Sequence, residues 1–391
     1  MKRMSLRFAV VLLVPASQAL GGPPSGPSHA PVLVPDTSIE HVEDIGVRAH
    51  TNHLIRFDPQ FVGTSPSGET PQSLRAVYAL PSTGGNGVIA IVDAFDYPTA
   101  ENDLNVFSSQ FGLPACTTQN GCFQKVYASG TKPRKNCGWA QEAALDIEWA
   151  HAMAPNAKII LVEAASNSFA NLFAAVDVAT QLVQSGGGGE VSMSWGGSEF
   201  SSEASNDFHL NNANVVYLAS SGDTGGATIY PGVSPDVVSA GGTSVNRDSS
   251  GNFVSETGWS GSGGGPSKYE PRPSYQDAIS AIVGAQRGAP DFSFDADPNT
   301  GVSVYDSTSC QGQSGWLVFG GTSVSSPSLA GIINLAGGAS DSATELTTIY
   351  SNLGNGSDFR DITSGAAGSF SCAVGWDFVT GVGSDQGLNG K

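Results

Sequence analysis

Charge is scarce in this chain. Only 13% of its 391 residues are charged, and the 17 lysines and arginines are outnumbered by 35 aspartates and glutamates, giving a formal net charge of -18. Such a balance repels nucleic acid and anionic membrane surfaces and argues against both as partners. It suits a protein that meets acid, where many carboxylates become neutral. Long apolar runs are also missing. The longest, FAVVLLV at residues 8–14, is too short to span a bilayer. It follows Lys2, Arg3 and Arg7 and precedes the small residues Ser17 and Ala19, the order of a secretory signal peptide over residues 1–19. A secreted protein without lasting membrane association is expected.

Cysteine is sparse, and five cannot all pair within one chain. Cys116 and Cys122 flank a short polar loop, CTTQNGC, that a bridge could close. Cys310 and Cys372 are candidates for a long-range bridge, which leaves Cys137 odd. No C-x-x-C pair occurs and the six histidines are scattered, so disulfides are a better reading than zinc. Glycine, by contrast, is abundant at 50 residues, as in secreted enzymes with long loops and in low-complexity surface proteins.

Residues 20–63 are rich in proline, glycine and histidine without sustained periodicity, and read as a linker or short pro-segment. Beyond them one domain is expected over residues 64–391. GVIAIVDAF (87–95), KIILVEA (158–164), EVSMSW (190–195) and NVVYLASSGD (214–223) are apolar runs of buried-strand type. Helical spacing marks residues 71–78, 99–111, 138–155 and 168–183. The alternation predicts an α/β fold with a mainly parallel sheet and helices on both faces. Ligands on such sheets sit at the carboxyl ends of strands, where Asp223 falls.

GGTSV occurs twice, at residues 241–245 and 320–324. Ser244 precedes a polar turn and reads as a loop serine after a strand. Ser323 precedes VSSPSLAGIINLAGG, a buried helix with Pro327 near its start. A serine there has free N–H groups beside it that can stabilise an oxyanion, although serine also commonly just caps a helix. A base is needed for a nucleophile. His29, His41, His50 and His53 lie in the N-terminal segment, His151 in a helix and His209 in a polar stretch, so none reads as a triad base. Glu142 and Asp146, four apart on the 138–155 helix, share one face and would share a proton when buried.

Five segments in order resemble the sedolisin family of serine-carboxyl peptidases: GWAQEAALD, ASSGDTGG (219–226), PDFSFDADPNTGV (290–302), GGTSVSSPSLAG (320–331) and the C-terminal pair RDI with VGWDFVTGVG. The resemblance covers nearly the whole chain after about Pro71. It implies a subtilisin-like three-layer α/β/α fold and acid-favoured hydrolysis of peptide or protein substrates by a monomer. Ser323 would be the nucleophile, Glu142 the base, Asp146 its orienting partner and Asp223 a protonated oxyanion donor. It also implies a calcium site from Asp361 and Asp377 with the carbonyls of Ile362, Ala373 and Gly375; Ala373 stands where the family has glycine. Asp93 reads as structural or loop-capping, Asp295 and Asp297 as turn-forming near the site. Residues 194–197 and 258–265 are extended segments suited to pairing with a peptide backbone. The family usually has a large folded pro-domain, and here about forty residues separate signal peptide from catalytic start. The rivals are a non-catalytic binding protein on the same scaffold and a histidine enzyme, which needs a histidine within reach of Ser323.

Overall fold

The computed structural model describes residues 31–57, 63–338 and 340–391; the expected signal peptide lies outside them. In chain order, the elements that build the sheet and the site begin with β1 (His50–Thr51), β2 (Leu54–Arg56), α1 (Pro71–Val77), β3 (Val88–Ala94), α2 (Ala100–Phe111) and β4 (Phe123–Tyr127). Next come α3 (Cys137–Met153), β5 (Lys158–Ala164), α4 (Phe169–Ser185), β6 (Gly189–Met193), β7 (Trp195–Ser198) and β8 (Val215–Ser220). They are followed by β9 (Val238–Arg247), β10 (Phe253–Gly258), β11 (Phe292–Asp295), β12 (Val302–Cys310) and β13 (Gln313–Gly320). The last are α5 (Thr322–Ala336), α6 (Ser342–Ser351), β14 (Phe359–Arg360) and β15 (Ser384–Asp385).

The central sheet runs β14-β15-β11-β9-β8-β6-β3-β5-β4, with β10 added to β9. Its pairs are parallel except β14–β15 and β9–β10. Strand periodicity sorts the side chains into two cores. Ile89, Ile91, Ile159 and Leu161 pack toward α3 and α5. Val88, Ala90, Val92, Ile160 and Val162 pack toward α4. Each such side chain, fully buried, contributes about 1.5–3 kcal/mol. The expected three-layer α/β/α arrangement follows.

Two helix starts set up the site. Asn136 caps α3, its side chain accepting from the N–H groups of Gly138 (3.0 Å) and Trp139 (3.2 Å). Gly321, at φ +96°, turns the chain from β13 into α5. Within α5, Pro327 has no N–H for the carbonyl of Ser323 one turn back, and Ser194 Oγ lies 3.4 Å from that oxygen. Gly331 lets α5 lie close on α3, since a Cβ there would press on Met153.

Several expectations need correction. The described part of residues 20–63 is not a free linker: β1 pairs antiparallel with β7, and β2 with β13. Alternation hidden in the segment explains this, because Ile55 is buried between the more open Leu54 and Arg56. Cys116 and Cys122 are bonded as expected, but the long-range bridge joins Cys137 to Cys310, at a Cα separation of 5.3 Å. Cys372, half-buried, is the free one. Ser244 lies inside β9 rather than in a loop, and its Oγ donates to Asp297 Oδ2 at 2.8 Å. The strand expected at residues 190–195 breaks after Met193, and β7 turns off to receive β1.

Candidate active site

Ser323 is the second residue of α5 and is completely buried. It does not cap the helix; Gly321 stands at the cap position. The Ser323 hydroxyl donates to the Ser194 carbonyl oxygen at 3.2 Å, and the first N–H groups of α5 point into the site. Thr322 N–H and Thr322 Oγ1 both donate to Asp223 Oδ1 at 2.8 Å. Ser323 N–H donates to the carbonyl oxygen of Asn52 at 3.0 Å. A Cβ on Gly321 would collide with that Asn52 oxygen and would sit 2.5 Å from Asp223 Oδ2. Glycine is therefore required there, and Asp223 Oδ2 faces the same space as the Asn52 carbonyl.

Glu142 and Asp146 project one turn apart from α3, both with no exposed surface. Glu142 Oε2 accepts from Asn52 N–H at 3.2 Å and lies 2.9 Å from His53 Nδ1, while Oε1 is buried without a partner among the described residues. Asp146 Oδ1 accepts from Ser194 Oγ at 2.8 Å. All four expected catalytic residues thus converge on the backbone of one residue, Asn52, and on Ser194. Asp93, at the end of β3, caps no loop: both its carboxylate oxygens are buried and unpartnered. It is a third acid in the cluster.

Electrostatics follow from that burial. Asp93 is held well above the usual carboxylate range by burial and then by the charge of Glu142. Asp146 is raised by burial and by Asp93 and Glu142, against the pull of the Ser194 bond. Burial lifts Asp223 to about 8, although the two Thr322 donors pull it down. These acids keep protons that exposed carboxyls would lose.

The histidines behave as the sequence suggests, with one exception. His151 Nε2 lies 2.9 Å from the Pro114 carbonyl oxygen, and burial lowers it to about 4. Among the described residues no histidine hydrogen-bonds to Ser323, which removes the observation a histidine enzyme needs. His53 is the exception, being buried against Glu142 and stacked on Phe319 at 5.4 Å. Sequence reasoning missed Asn52 and His53 because it placed them in a linker. Residues 194–197 do pair with an extended segment, but 258–265 instead brace the Asp223 loop, Gly263 N–H donating to the Gly222 carbonyl oxygen at 2.7 Å. Asp297 binds the Asn299 N–H and Asp295 the Thr300 hydroxyl, so both shape the turn as expected. A cleft of about 580 Å³ opens beside Leu54, Asp223, Trp259 and Asn299.

Near the C-terminus, one turn ties together the carboxylates of Asp361 and Asp377. Gly375 N–H donates to Asp361 Oδ2 and Ala373 N–H to Asp377 Oδ2, both at 3.0 Å. Ala373 does not take a positive φ, so replacing glycine there brings no strain. The one three-residue metal-type cluster among the described residues, Cys116–Cys122–His151, has both sulfurs in a disulfide and offers no thiolate.

No protein-family model matches the chain. Sedolisin of Pseudomonas sp. (strain 101) is 32% identical over 172 residues, 40% of this chain and 28% of that protein. Kumamolisin of Bacillus sp. (strain MN-32) is 29% identical over 374 residues, 85% of this chain and 64% of that protein. The chain therefore spans less than two thirds of either curated relative. Among solved structures, Pseudomonas sedolisin, a serine-carboxyl proteinase complexed with two molecules of pseudo-iodotyrostatin, aligns with a TM-score of 0.69 at 23% identity, covering 82% of this chain and 96% of that one. Sphericase aligns with a TM-score of 0.51 at 20% identity, covering 82% and 99%. At those identities the structural likeness is one of fold. Joined to the sequence similarity with sedolisin and kumamolisin, it agrees with the resemblance carried by the five ordered segments: the chain is similar in sequence and fold to the sedolisin family.

Proposed function

We propose that the chain is a secreted serine-carboxyl peptidase that hydrolyses peptide bonds through an acyl-enzyme and favours acid. The observation that carries this reading is the carbonyl of Asn52, held by the Ser323 N–H and facing the same space as Asp223 Oδ2, with Glu142 on the N–H of the same residue. In the first step Ser323 Oγ attacks a carbonyl carbon placed there, and its proton passes to Glu142, whose Oε1 is free to take it. Asp146, through its proton and its bond to Ser194, fixes the face of α3 that carries Glu142. The oxyanion is met by the Ser323 N–H and by Asp223 in its protonated form, as its raised titration permits. Losing one such donor costs about 2.7–4 kcal/mol of transition-state stabilisation.

The C-terminal turn would hold Ca2+: Asp361 and Asp377 already accept from N–H groups of that turn, and with the carbonyl oxygens of Ile362, Ala373 and Gly375 they would supply an all-oxygen donor set. The ion would hold that turn and take no part in the reaction. The test of the peptidase reading is hydrolysis of an unstructured peptide from acid to neutral pH by the wild type, Ser323→Ala and Glu142→Gln. Acid-favoured cleavage abolished in both variants is expected. Cleavage that survives Ser323→Ala overturns the assignment, and no cleavage by folded wild type favours the binding-protein rival.

A further inference from the structure

Away from the catalytic cleft, we infer that the pocket where α1, the turn after α2 and the end of α3 meet is a binding site for a small monocarboxylate with an apolar body. It encloses about 530 Å³, within the range that small-molecule sites fill, and Pro71, Leu80, Phe111, Leu113 and Pro114 line it together with Arg75. Helix ends in the local sequence leave this hollow. Gly112, at φ +67°, stops α2 in the left-handed region and turns the chain into Leu113 and Pro114. Ala79, at φ +54°, does the same after α1 and leads into Leu80. The pocket shares no lining residue with the cleft beside Asp223. Along α3, Glu142 and Met153 are some three turns apart, about 16 Å at 1.5 Å per residue.

Arg75 gives the pocket its chemistry. Only 7% of its surface is exposed, and its Nε is buried without a partner among the described residues. The other two nitrogens donate to main-chain carbonyl oxygens, Nη1 to Ser82 at 2.7 Å and Nη2 to Met153 at 3.5 Å. Those oxygens, and the end of α3 to which Met153 belongs, carry only partial negative charge. Burial lowers the titration of the guanidinium, and no carboxylate among the described residues works the other way. Arg287 shows the contrast: it is equally deep, and meets Asp291 Oδ2 at 2.6 Å. The chain has 35 acids for its 17 lysines and arginines, so potential partners are plentiful. A buried ion is costly unless paired, and here the empty place beside it opens on leucine, phenylalanine and proline.

That combination selects the ligand. A carboxylate accepts two parallel N–H bonds from a guanidinium, and an apolar body behind it covers the walls. An inorganic anion would leave the walls bare, and a neutral lipid would leave Arg75 unanswered. Acids of this kind have two sources, a medium-chain fatty acid and the free C-terminus of a short apolar peptide.

The test needs no catalysis. The full chain carrying Ser323→Ala is titrated by calorimetry near pH 6, where ordinary carboxyls are ionised and arginine is charged. Octanoate and acetyl-Leu-Leu are the probes, each compared with its own amide. A carboxylate should bind at a single site about tenfold or more tightly than its amide, the difference a charge-assisted bond makes. Arg75→Gln should erase that difference. Ala76→Phe, which fills the pocket from the exposed side of α1 and leaves Arg75 in place, should abolish binding. Where Arg75→Gln does not fold, Ala76→Phe decides by itself. Binding of octanoate alone assigns the site to fatty acids, and of the dipeptide alone to peptide ends. Acid and amide binding alike, binding that survives Ala76→Phe, a preference for the acid unchanged in Arg75→Gln, or no binding up to about 10 mM each overturns the site.

Discussion

Asp223 gives the sharpest quantitative expectation. Burial moves it from 3.8 to about 8. At about 1.4 kcal/mol per pH unit, that gap favours the neutral acid by on the order of 5 kcal/mol. Below about 8 the carboxyl is therefore protonated and can donate through Oδ2 while Oδ1 accepts from Thr322. Above it the charged form repels the oxyanion. The Asp223 contribution to kcat/KM should accordingly hold on the acid side of 8 and fall by about tenfold per pH unit beyond it, whatever loss the other buried acids add at lower pH. The Asp223→Asn variant keeps an acceptor for Thr322 and puts a non-titrating N–H donor in the place of Oδ2. Whatever its absolute rate, its profile should lose this alkaline limb. Asp223→Ala should lose roughly 10²–10³ in kcat below about pH 8, a deficit that narrows above it as the wild type loses the same donor. A wild-type profile flat beyond pH 9, or an alkaline limb unchanged in Asp223→Asn, refutes the reasoning.

Two further outcomes concern stability. Burial raises Glu190 and Glu203 to about 8, and Glu163, Asp306 and Glu345 to about 7. Unfolded, such groups titrate at about 4, so from there up to 7–8 the native state binds more protons and stability falls as pH rises. Tm of Ser323→Ala, which cannot digest itself, should be highest near about pH 4–5 and drop steadily toward 8; a rise toward neutrality contradicts this. At fixed pH, chelation should lower Tm of the wild-type sequence carrying Ser323→Ala, and adding Asp377→Asn should remove that response, as calorimetry in Ca2+ and in chelator will report.

Much of this architecture is legible in the sequence because it is local. β3 and β5 are bounded by glycine or polar residues and apolar in between, so their extents follow from composition. Glu142 and Asp146 are one helical turn apart, and helical geometry alone puts them on one face. Asp223 follows the end of β8, where an open α/β sheet places its ligands. What depends on distant contacts is not legible. Cys137 and Cys310 are 173 residues apart, and only the fold brings the start of α3 to the end of β12. Asp93 becomes an active-site acid because the first turns of α3 face it, not through any signal in IAIVD. The segment around Asn52 has too few residues for a strand pattern to stand out, and its partners, β7 and β13, come far later in the chain. Its alternation of buried His53 and Ile55 with half-open Leu54 and Arg56 is the local trace it leaves.

The nucleophile is the claim on which the rest depends, and it can be observed directly. The enzyme, mixed with an excess of an activated peptide ester and quenched in acid during turnover, is digested and mapped by mass. A single acyl adduct should appear on Ser323, and accumulate in proportion to active enzyme. An adduct on Ser244 or Ser194, or turnover with no adduct at any quench time, contradicts catalysis by Ser323.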